Sequence, residues 1–306
     1  MNDPHVVATV LVSNNQSGLD HVLLRLSRQT TLPRSVVVID NASRQPSTAA
    51  ATLAGTEVAI DLVRVETNLG VGGGHNAAIR RALDMHAADT VLVLEHDTFL
   101  DDSCLEQLLR RATSSDVPCV VVTTLVRNNY ERRWLNSDQK LPSSTRARRR
   151  ILRRTSTVSK VPSDANVRFT LNGVLIPREV TETVGGLRED FYVGQEDWDY
   201  SARVKAAGYP VVDCANALAV HANKGAHRFN GYLSPSRLYY YERNLIATAN
   251  TSSLRRLKLA GFGGVKAVAE LFTRGRGRRC AAARVYATRD GLRHHLGPKS
   301  YPFMTR

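Results

Sequence analysis

The sequence predicts an α/β fold in which a doubly wound, mostly parallel sheet is followed by a helical, basic C-terminal extension. Strand-like and helix-like stretches alternate through the first half of the chain, which is typical of right-handed βαβ units. Polar residues directly follow three of the apolar runs, at the strand ends where open parallel sheets bind ligands. Beyond Tyr239 the apolar spacing becomes helical, and arginine and lysine accumulate.

The elements are predicted in order from hydrophobic periodicity. Strands are expected where β-branched residues form short apolar runs, at 6–12, 36–39, 58–65, 91–94, 118–126, 167–176 and 211–220. Helices are expected where apolar residues recur three and four positions apart, at 19–28, 75–88, 103–111 and 195–207. The first three strands are apolar enough to be buried, and the second helix follows a glycine run that we expect to be flexible.

Changes in composition set the predicted domain boundaries. Residues 1–235 are expected to form one domain, with a first half at 1–127, a mobile basic insert at 128–165 and a second half at 166–235. The insert is rich in serine, threonine, arginine and proline, and it contains the run RARRRILRR at 146–154. Residues 236–306 are expected to form the helical extension.

The net charge of +14 implies an anionic partner, which could be a nucleic acid, a phosphorylated substrate or an anionic membrane surface. The first 100 residues are close to neutral, so the basic surface is an addition to the core domain. No apolar run is long enough to span a membrane, and the N-terminus resembles a strand more than a signal peptide. The four cysteines are widely spaced, which favours a reducing cytoplasm.

Three polar clusters lie at predicted strand ends and are better explained by a shared ligand than by three unrelated polar loops. They contain Ser13, Asn14 and Asn15, then Asp40, Asn41 and Ser43, and finally Glu95, His96 and Asp97. The carboxylates of the third cluster are hard oxygen ligands suited to Mg²⁺ or Mn²⁺. A second acidic group, Glu196, Asp197 and Asp199, stands at a predicted helix start. These carboxylates could cap the helix, or one of them could act as a general base.

Two further features have competing interpretations. The glycine run at 68–76 is not a dinucleotide fingerprint, because His75 replaces its third glycine and the run does not follow the first strand. Its glycines could admit a phosphate or ribose to a helix start, or simply form a flexible helix entry. His221 directly follows a predicted buried strand, where it could complete a metal site or have a structural role.

An ordered set of motifs carries a family resemblance over residues 6–244. The pieces are VLVSNN, VVVIDNAS, ETNLGVGGGHNAAI, LEHDT, FTLNGVLIPREV, VGGLREDFYVGQEDWDYSARVKAAGY and SRLYYYERN. The chain resembles the family 2 glycosyltransferases of GT-A fold, an inverting class that uses nucleotide sugars, and within them the bacterial rhamnosyltransferase and galactofuranosyltransferase branch. The resemblance implies that 1–127 binds the donor and 166–235 the acceptor.

The resemblance also implies roles for residues at matching positions. Asp197 would be the catalytic base, and the acceptor would be bound by Glu196, Trp198 and Asn172. Asp97, Glu95 and His221 would hold Mn²⁺ or Mg²⁺. The donor-binding residues would be Ser13, Asn14, Asp40, Asn68, Gly70, Glu95, His96 and Asp97. The family usually has aspartate where this chain has Glu95, so metal-free nucleotide binding stays open.

The implied partners are a dTDP- or UDP-linked sugar, with dTDP-rhamnose favoured, and a glycan, lipid-linked glycan or small-molecule acceptor. The stretch at 254–279 is both cationic and apolar, so it would contact the inner face of an anionic cell membrane or pack in a homo-oligomer. Membrane contact is favoured, because this branch of the family commonly acts on polyprenyl-linked glycans. The alternatives are a catalytically silent nucleotide-binding member and a nucleic-acid-binding protein. No nucleic-acid partner is expected, because aromatic residues are not interleaved with the basic runs.

Overall fold

The computed structural model describes residues 4–126, 169–221, 228–229, 232–248, 253–272 and 277–304. The predicted basic insert at 128–165, with its arginine run, lies outside these residues. The chain forms two compact units. The first unit comprises 1–68, 74–186 and 200–223, and the second unit comprises 69–73, 187–199 and 224–306.

Ten strands are present in the described part of the chain. They are β1 (Val6–Val12), β2 (Ser35–Asn41), β3 (Ala59–Val65), β4 (Thr90–Glu95), β5 (Thr98–Leu100), β6 (Val120–Val126), β7 (Val174–Pro177), β8 (Val211–His221), β9 (Arg228–Phe229) and β10 (Tyr232–Leu233). The α-helices of the same residues are α1 (Gln16–Ser27), α2 (Gly70–Met85), α3 (Cys104–Thr113), α4 (Arg178–Val184), α5 (Glu196–Ala206), α6 (Pro235–Thr248), α7 (Ser253–Leu271) and α8 (Gly277–Leu292).

An eight-stranded sheet forms the first unit, in the order β3-β2-β1-β4-β7-β6-β8-β5. β3, β2, β1 and β4 are parallel neighbours, and β6 is parallel to β8. β7 runs antiparallel to both β4 and β6, and β5 runs antiparallel to β8. The α/β prediction with a mostly parallel sheet is therefore confirmed, and the sheet also has two short antiparallel strands, β7 in its interior and β5 at its edge.

Continuous apolar runs place β1 and β4 in the centre of the sheet, since a strand covered on both faces must be apolar throughout. Leu92 and Leu94 are wholly buried, and the core around them includes Leu19 of α1 and Leu105 of α3. Each such leucine contributes about 1.5–3 kcal/mol through burial. The core therefore fixes the positions of β1 and β4, the two strands whose carboxyl ends are polar.

Three predicted elements differ from the structure. β3 is not buried but half-exposed, because it is the edge strand of the sheet. The strand predicted at 167–176 is shorter in the described residues, where β7 begins only at Val174, after Gly173 adopts a φ of +84°. α2 begins at Gly70, five residues earlier than predicted, so the glycine run is helical and not a flexible entry.

The second unit has its own core, built from aromatic residues of α6 and small residues of α8. Tyr239 and Tyr240 pack with Cys280, Ala283 and Phe303. Within this core, fully buried Asp290 accepts hydrogen bonds of 2.7 Å from the hydroxyl groups of Tyr239 and Tyr301. Among the described residues, we find no helix with the length and apolar character that a membrane span requires.

Candidate active site

Glu95, Asp97 and His221 converge at one end of the first unit's sheet. β4 ends at Glu95, the chain turns, and β5 begins at Thr98, which pairs directly with His221 at the end of β8. His221 Nε2 lies 3.2 Å from Asp97 Oδ2. One ligand atom from each of the three residues lies within 4.8 Å of the others. The antiparallel pairing of β5 with β8 therefore unites residues that are far apart in the sequence.

These three side chains fit a divalent metal ion, and we call Glu95, Asp97 and His221 the candidate metal-binding group. Asp97 Oδ1 is buried and has no hydrogen-bond partner among the described residues. A buried carboxylate oxygen without a donor is costly, and a cation would compensate it. Two carboxylates and one imidazole form a donor set that suits Mn²⁺. All three side chains are partly exposed, so an ion and a ligand can reach them.

His75 lies behind the metal-binding group and was assigned no role from the sequence. It is fully buried on α2, and its Nε2 lies 3.9 Å from Glu95 Oε1. Burial raises the pKa of Glu95, but the nearby His75 imidazole, with smaller contributions from His221 and His96, outweighs burial and lowers that pKa to about 2. Glu95 is therefore ionised at neutral pH, as a metal ligand must be.

His96 is not part of the three-residue group. Its backbone N–H donates to the Leu11 oxygen at 3.0 Å, and its ring Nδ1 lies 3.2 Å from the same oxygen. These contacts hold the turn between β4 and β5 against the end of β1. The donor-binding role of His96 stays a prediction.

The first two polar clusters are brought together by hydrogen bonds. The backbone N–H of Asn14 donates to Ser43 Oγ at 2.8 Å, and Asn14 Oδ1 accepts from the backbone N–H of Arg44 at 2.9 Å. Ser13 Oγ donates to the Asn41 oxygen at 3.4 Å. The strand-end loops after β1 and β2 thus form one connected polar surface, as parallel neighbours should.

Asp40 is almost fully buried and organises the loop that follows β2. Its Oδ1 accepts from the backbone N–H of Ser43 at 3.0 Å, and its Oδ2 accepts from Ser47 N–H at 2.9 Å and from Arg64 at 3.1 Å. Burial would raise the pKa of Asp40, but these hydrogen bonds and the Arg64 charge lower it overall. Asn68, another predicted donor residue, accepts from the Asn41 side chain at 3.4 Å.

Asn172, predicted to bind the acceptor, braces the start of β5 in the first unit. It is buried, and its Oδ1 accepts a 2.6 Å hydrogen bond from Thr98 Oγ1. Its backbone oxygen accepts from Thr123 Oγ1 at 3.0 Å. Because Thr98 directly follows Asp97, this network positions the turn that carries Asp97, a role that the sequence did not suggest.

In the second unit, Glu196, Asp197 and Asp199 occupy the first turn of α5. The positive end of a helix stabilises carboxylates there. Asp197 Oδ1 accepts from the backbone N–H of Trp198 at 2.8 Å. Glu196 is buried, whereas Asp197 and Trp198 are partly exposed. The predicted base and two predicted acceptor residues therefore share one helix start.

The loop before α5 is strained and is held by two neighbouring residues of α6. Tyr192 and Gln195 have φ values of +63° and +73°, which cost energy for side chains other than glycine. The Asn244 side-chain amide donates to the oxygens of Phe191, Val193 and Gly194 at 2.7–3.1 Å.

Arg243 completes this clamp. It is fully buried, and it donates to the backbone oxygens of Gly297 at 2.6 Å, Phe191 at 2.9 Å and Asp190 at 3.2 Å. The two clamp residues end the motif SRLYYYERN, which is the only sequence signal that could have identified them. A buried arginine in an aromatic helix requires internal hydrogen-bond partners, and the backbone of this loop supplies them.

The glycine run allows the backbone at the start of α2 to pack closely against the loop before α5, within the second unit. The N–H of Val71 donates to the Tyr192 oxygen at 2.7 Å. Gly70 has a φ of +75°, and a Cβ there would collide with the Tyr192 oxygen. A Cβ on Gly72 would lie 2.6 Å from the Arg188 oxygen. The first helical glycines are therefore required by the loop that precedes α5.

Comparisons with solved structures show similarity to glycosyltransferases of GT-A fold. The mannosyltransferase PcManGT from Pyrobaculum calidifontis, in complex with GDP-Man and Mn²⁺, matches with a TM-score of 0.52 and 18% identity over 94% of this chain and 87% of its own. GalNAc-T7 with UDP, GalNAc and Mn²⁺ matches with a TM-score of 0.53 and 12% identity over 95% and 56% of the two chains. The predicted GT-A fold is thereby confirmed.

TarS from S. aureus is a third similar protein. Its 1–349 fragment in complex with UDP-GlcNAc matches with a TM-score of 0.52 and 16% identity over 92% of this chain and 81% of the fragment. This chain spans 44% of a longer TarS chain. A search of curated protein sequences found no match.

The family described as "Glycosyltransferase like family 2" matches residues 4–251, which include the three polar strand-end clusters, His221 and the two clamp residues. The predicted family is confirmed, and the chain belongs to the family 2 glycosyltransferases.

Proposed function

We propose that this protein is an inverting glycosyltransferase that moves a sugar from a nucleotide diphosphate to an acceptor hydroxyl group. The observation that carries the proposal is the convergence of Glu95, Asp97 and His221 at the sheet edge, in a chain of this family. The similar structures with GDP-Man, UDP-GlcNAc and UDP support a nucleotide-sugar donor.

Asp97 and His221 would hold Mn²⁺ or Mg²⁺, with Glu95 as the third ligand. When bound, the ion neutralises the donor diphosphate and stabilises it as a leaving group. His75 keeps Glu95 ionised from behind, and Asn172 fixes the turn through Thr98.

The remaining polar clusters would bind the nucleotide. Asp40 fixes the loop that carries Ser43, and Ser13 and Asn14 line the same edge. Asn68, Gly70 and His96 complete the proposed donor site; this assignment is supported by their positions in the family motifs.

Asp197 would act as the general base. Its place in the first turn of α5 and the Trp198 N–H favour the ionised carboxylate, which can accept the proton of the acceptor hydroxyl. That oxygen then attacks the anomeric carbon opposite the leaving diphosphate and inverts its configuration. Glu196, Trp198 and Asn172 would shape the acceptor side.

We propose dTDP-rhamnose as the donor, with a UDP-linked hexose as the closest competitor, and a glycan, lipid-linked glycan or small molecule as the acceptor. The support is the resemblance of the TLNGVL and YYYERN stretches to the rhamnosyltransferase branch. A role in cell-wall or polysaccharide synthesis follows from the same resemblance. We place the reaction in the cytoplasm, because the four cysteines are far apart in the sequence and form no CxxC pair.

A thermal-shift screen against UDP, dTDP, GDP and their sugar conjugates, with and without Mn²⁺, tests the proposal. A ligand that binds only the folded protein raises its melting temperature by mass action. We expect a Mn²⁺-dependent shift with one nucleotide, lost in Asp97→Asn and His221→Gln and kept in Asp84→Asn, an exposed control. No shift with any nucleotide would refute the donor site.

The base is tested separately by Asp197→Asn. This variant should keep the nucleotide-induced shift and lose transfer by a factor of at least about 100, the lower end for general base catalysis. Transfer at the wild-type rate would refute the role of Asp197. A catalytically silent protein would show the shift in wild type without any transfer.

A further inference from the structure

Helix α7 has an unusual distribution of side chains: its large apolar residues lie on the exposed face. Leu254, Leu257, Val265 and Val268 recur at helical spacing and form one stripe, which Phe272 extends directly after the helix ends. Each of them is more than half exposed, from 55% to 84% for the stripe and its neighbours Phe262 and Leu271. An exposed apolar face of this extent is uncommon on a soluble monomer and indicates an interaction surface.

The packed face of the same helix is small and polar. Ala260 and Ala267 are buried there, and a Cβ on Gly263 would lie 2.8 Å from Thr288 Oγ1 of α8. Glu270 forms an ion pair of 3.2 Å with Arg284 of α8. The helix is thus attached to its unit by small residues and an ion pair, and the large apolar side chains are available to a partner.

The charges on α7 identify the partner. Lys258 and Lys266 are exposed beside the apolar stripe, and Lys266 Nζ lies 4.3 Å from the ring centroid of Phe262. Glu270 is the only acidic residue in α7, and Arg284 already neutralises it. Two copies of this face would bring cations but no anions into contact. An anionic headgroup layer would complement the lysines, while acyl chains would receive the apolar stripe.

We propose that the exposed face of α7 docks on the surface of an anionic lipid bilayer, with the helix lying in the plane of the interface. The apolar stripe enters the boundary between headgroups and acyl chains, and Lys258 and Lys266 contact the headgroups. The proposal uses none of the residues of the proposed donor site, so it holds whichever sugar is transferred.

The test is co-sedimentation of the full-length protein with vesicles of phosphatidylcholine alone or with one quarter phosphatidylglycerol. We expect binding to the anionic vesicles that weakens with salt and little binding to the neutral ones. The double variant Val265→Gln with Val268→Gln should weaken binding at least about tenfold, because two apolar side chains that would move from water into the bilayer interface are lost. The matched control is Met85→Gln with Val117→Gln, two comparably exposed apolar residues on the first unit.

The electrostatic part is tested by Lys258→Gln with Lys266→Gln. Each cation near an anionic surface contributes about a factor of five, so the pair should lose about 25-fold. The control with the same charge change is Arg34→Gln with Arg80→Gln, both exposed on the first unit. Equal losses in variant and control would overturn the assignment to α7, because net charge alone would then explain binding.

Two other outcomes would also overturn the proposal. Failure to bind anionic vesicles would mean that the face is covered in solution. A dimer seen by light scattering without lipid, and dissociated by Val265→Gln with Val268→Gln, would assign the face to self-association. Circular dichroism melting of every variant checks that each change on these exposed positions leaves the fold intact.

Discussion

The clamp on the loop before α5 allows a quantitative prediction. Arg243→Lys keeps the charge but replaces a planar group with several donors by one ammonium on a different stem. The native guanidinium makes three hydrogen bonds to backbone oxygens and one of 2.9 Å to Asn244 Oδ1. Lysine can keep one or two of these bonds, so at least two buried acceptors lose a charged donor.

A hydrogen bond to a charged group contributes about 1.5–3 kcal/mol. We therefore expect Arg243→Lys to lower the free energy of unfolding by about 3–6 kcal/mol, measured by urea titration followed by circular dichroism. The matched control is Arg203→Lys. Arg203 also donates to two backbone oxygens, those of Val184 at 2.9 Å and Gly186 at 2.7 Å, but it is only half-buried.

Water replaces the lost donors around Arg203, so the control should lose about 1 kcal/mol or less. Equal losses of unfolding free energy in Arg243→Lys and Arg203→Lys would refute the clamp, because the buried arginine would then stabilise the protein no more than the half-buried one. Arg243→Lys should also reduce transfer more than it reduces nucleotide binding, since the strained loop leads directly into Asp197.

Three further predictions concern helix packing, pH dependence and the metal-binding group. Gly72→Ala should destabilise the protein, since its Cβ meets the Arg188 oxygen, whereas Gly264→Ala, which points into open space, should stabilise it by up to about 1 kcal/mol in the same urea titration. The Arg81 guanidinium lowers the pKa of Asp61, so the ionised carboxylate stabilises the fold above its ordinary pKa of 3.8, and this contribution is lost as pH falls through the lower native value. Between about pH 5 and pH 3, wild type should therefore lose more stability than Asp61→Asn; equal acid sensitivity would contradict this. His75→Leu should lower the melting temperature of the metal-free protein at neutral pH, because the imidazole that favours the ionised Glu95 carboxylate is lost, and it should also reduce the Mn²⁺-induced shift; an unchanged Mn²⁺ shift would remove His75 from the site.

Much of the fold was predictable because hydrophobic periodicity is local. β1, β2 and β4 are continuous apolar runs, and their polar ends follow directly in the sequence. β3 also carries Asp61 and Arg64 and is half-exposed, and its place at the sheet edge follows from the strand order. The early start of α2 was missed for a related reason. Consecutive glycines usually indicate flexibility, and only the loop packed against Gly70 and Gly72 explains why they are helical.

In the candidate site, too, some residues were identified from the sequence and others only from the tertiary structure. Glu95 and Asp97 were identified because two carboxylates follow one strand. His221 was suggested by its position after another strand, but the antiparallel pairing of β5 with β8 is what places it 3.2 Å from Asp97. His75 was passed over, since a lone histidine in a helix gives no signal until its contact with Glu95 at the end of β4 is known.

The sequence by itself determined the α/β class, the family and the chemical types at the strand ends, because each depends on residues close together in the chain or on the order of motifs. The tertiary structure decided which of those residues meet. It paired His221 with Asp97, placed a buried imidazole behind Glu95, and used Arg243 and Asn244 to hold the strained loop before Asp197. These contacts depend on the pairing of distant strands and on the packing of helices within each unit, and neither is encoded by any single stretch of residues.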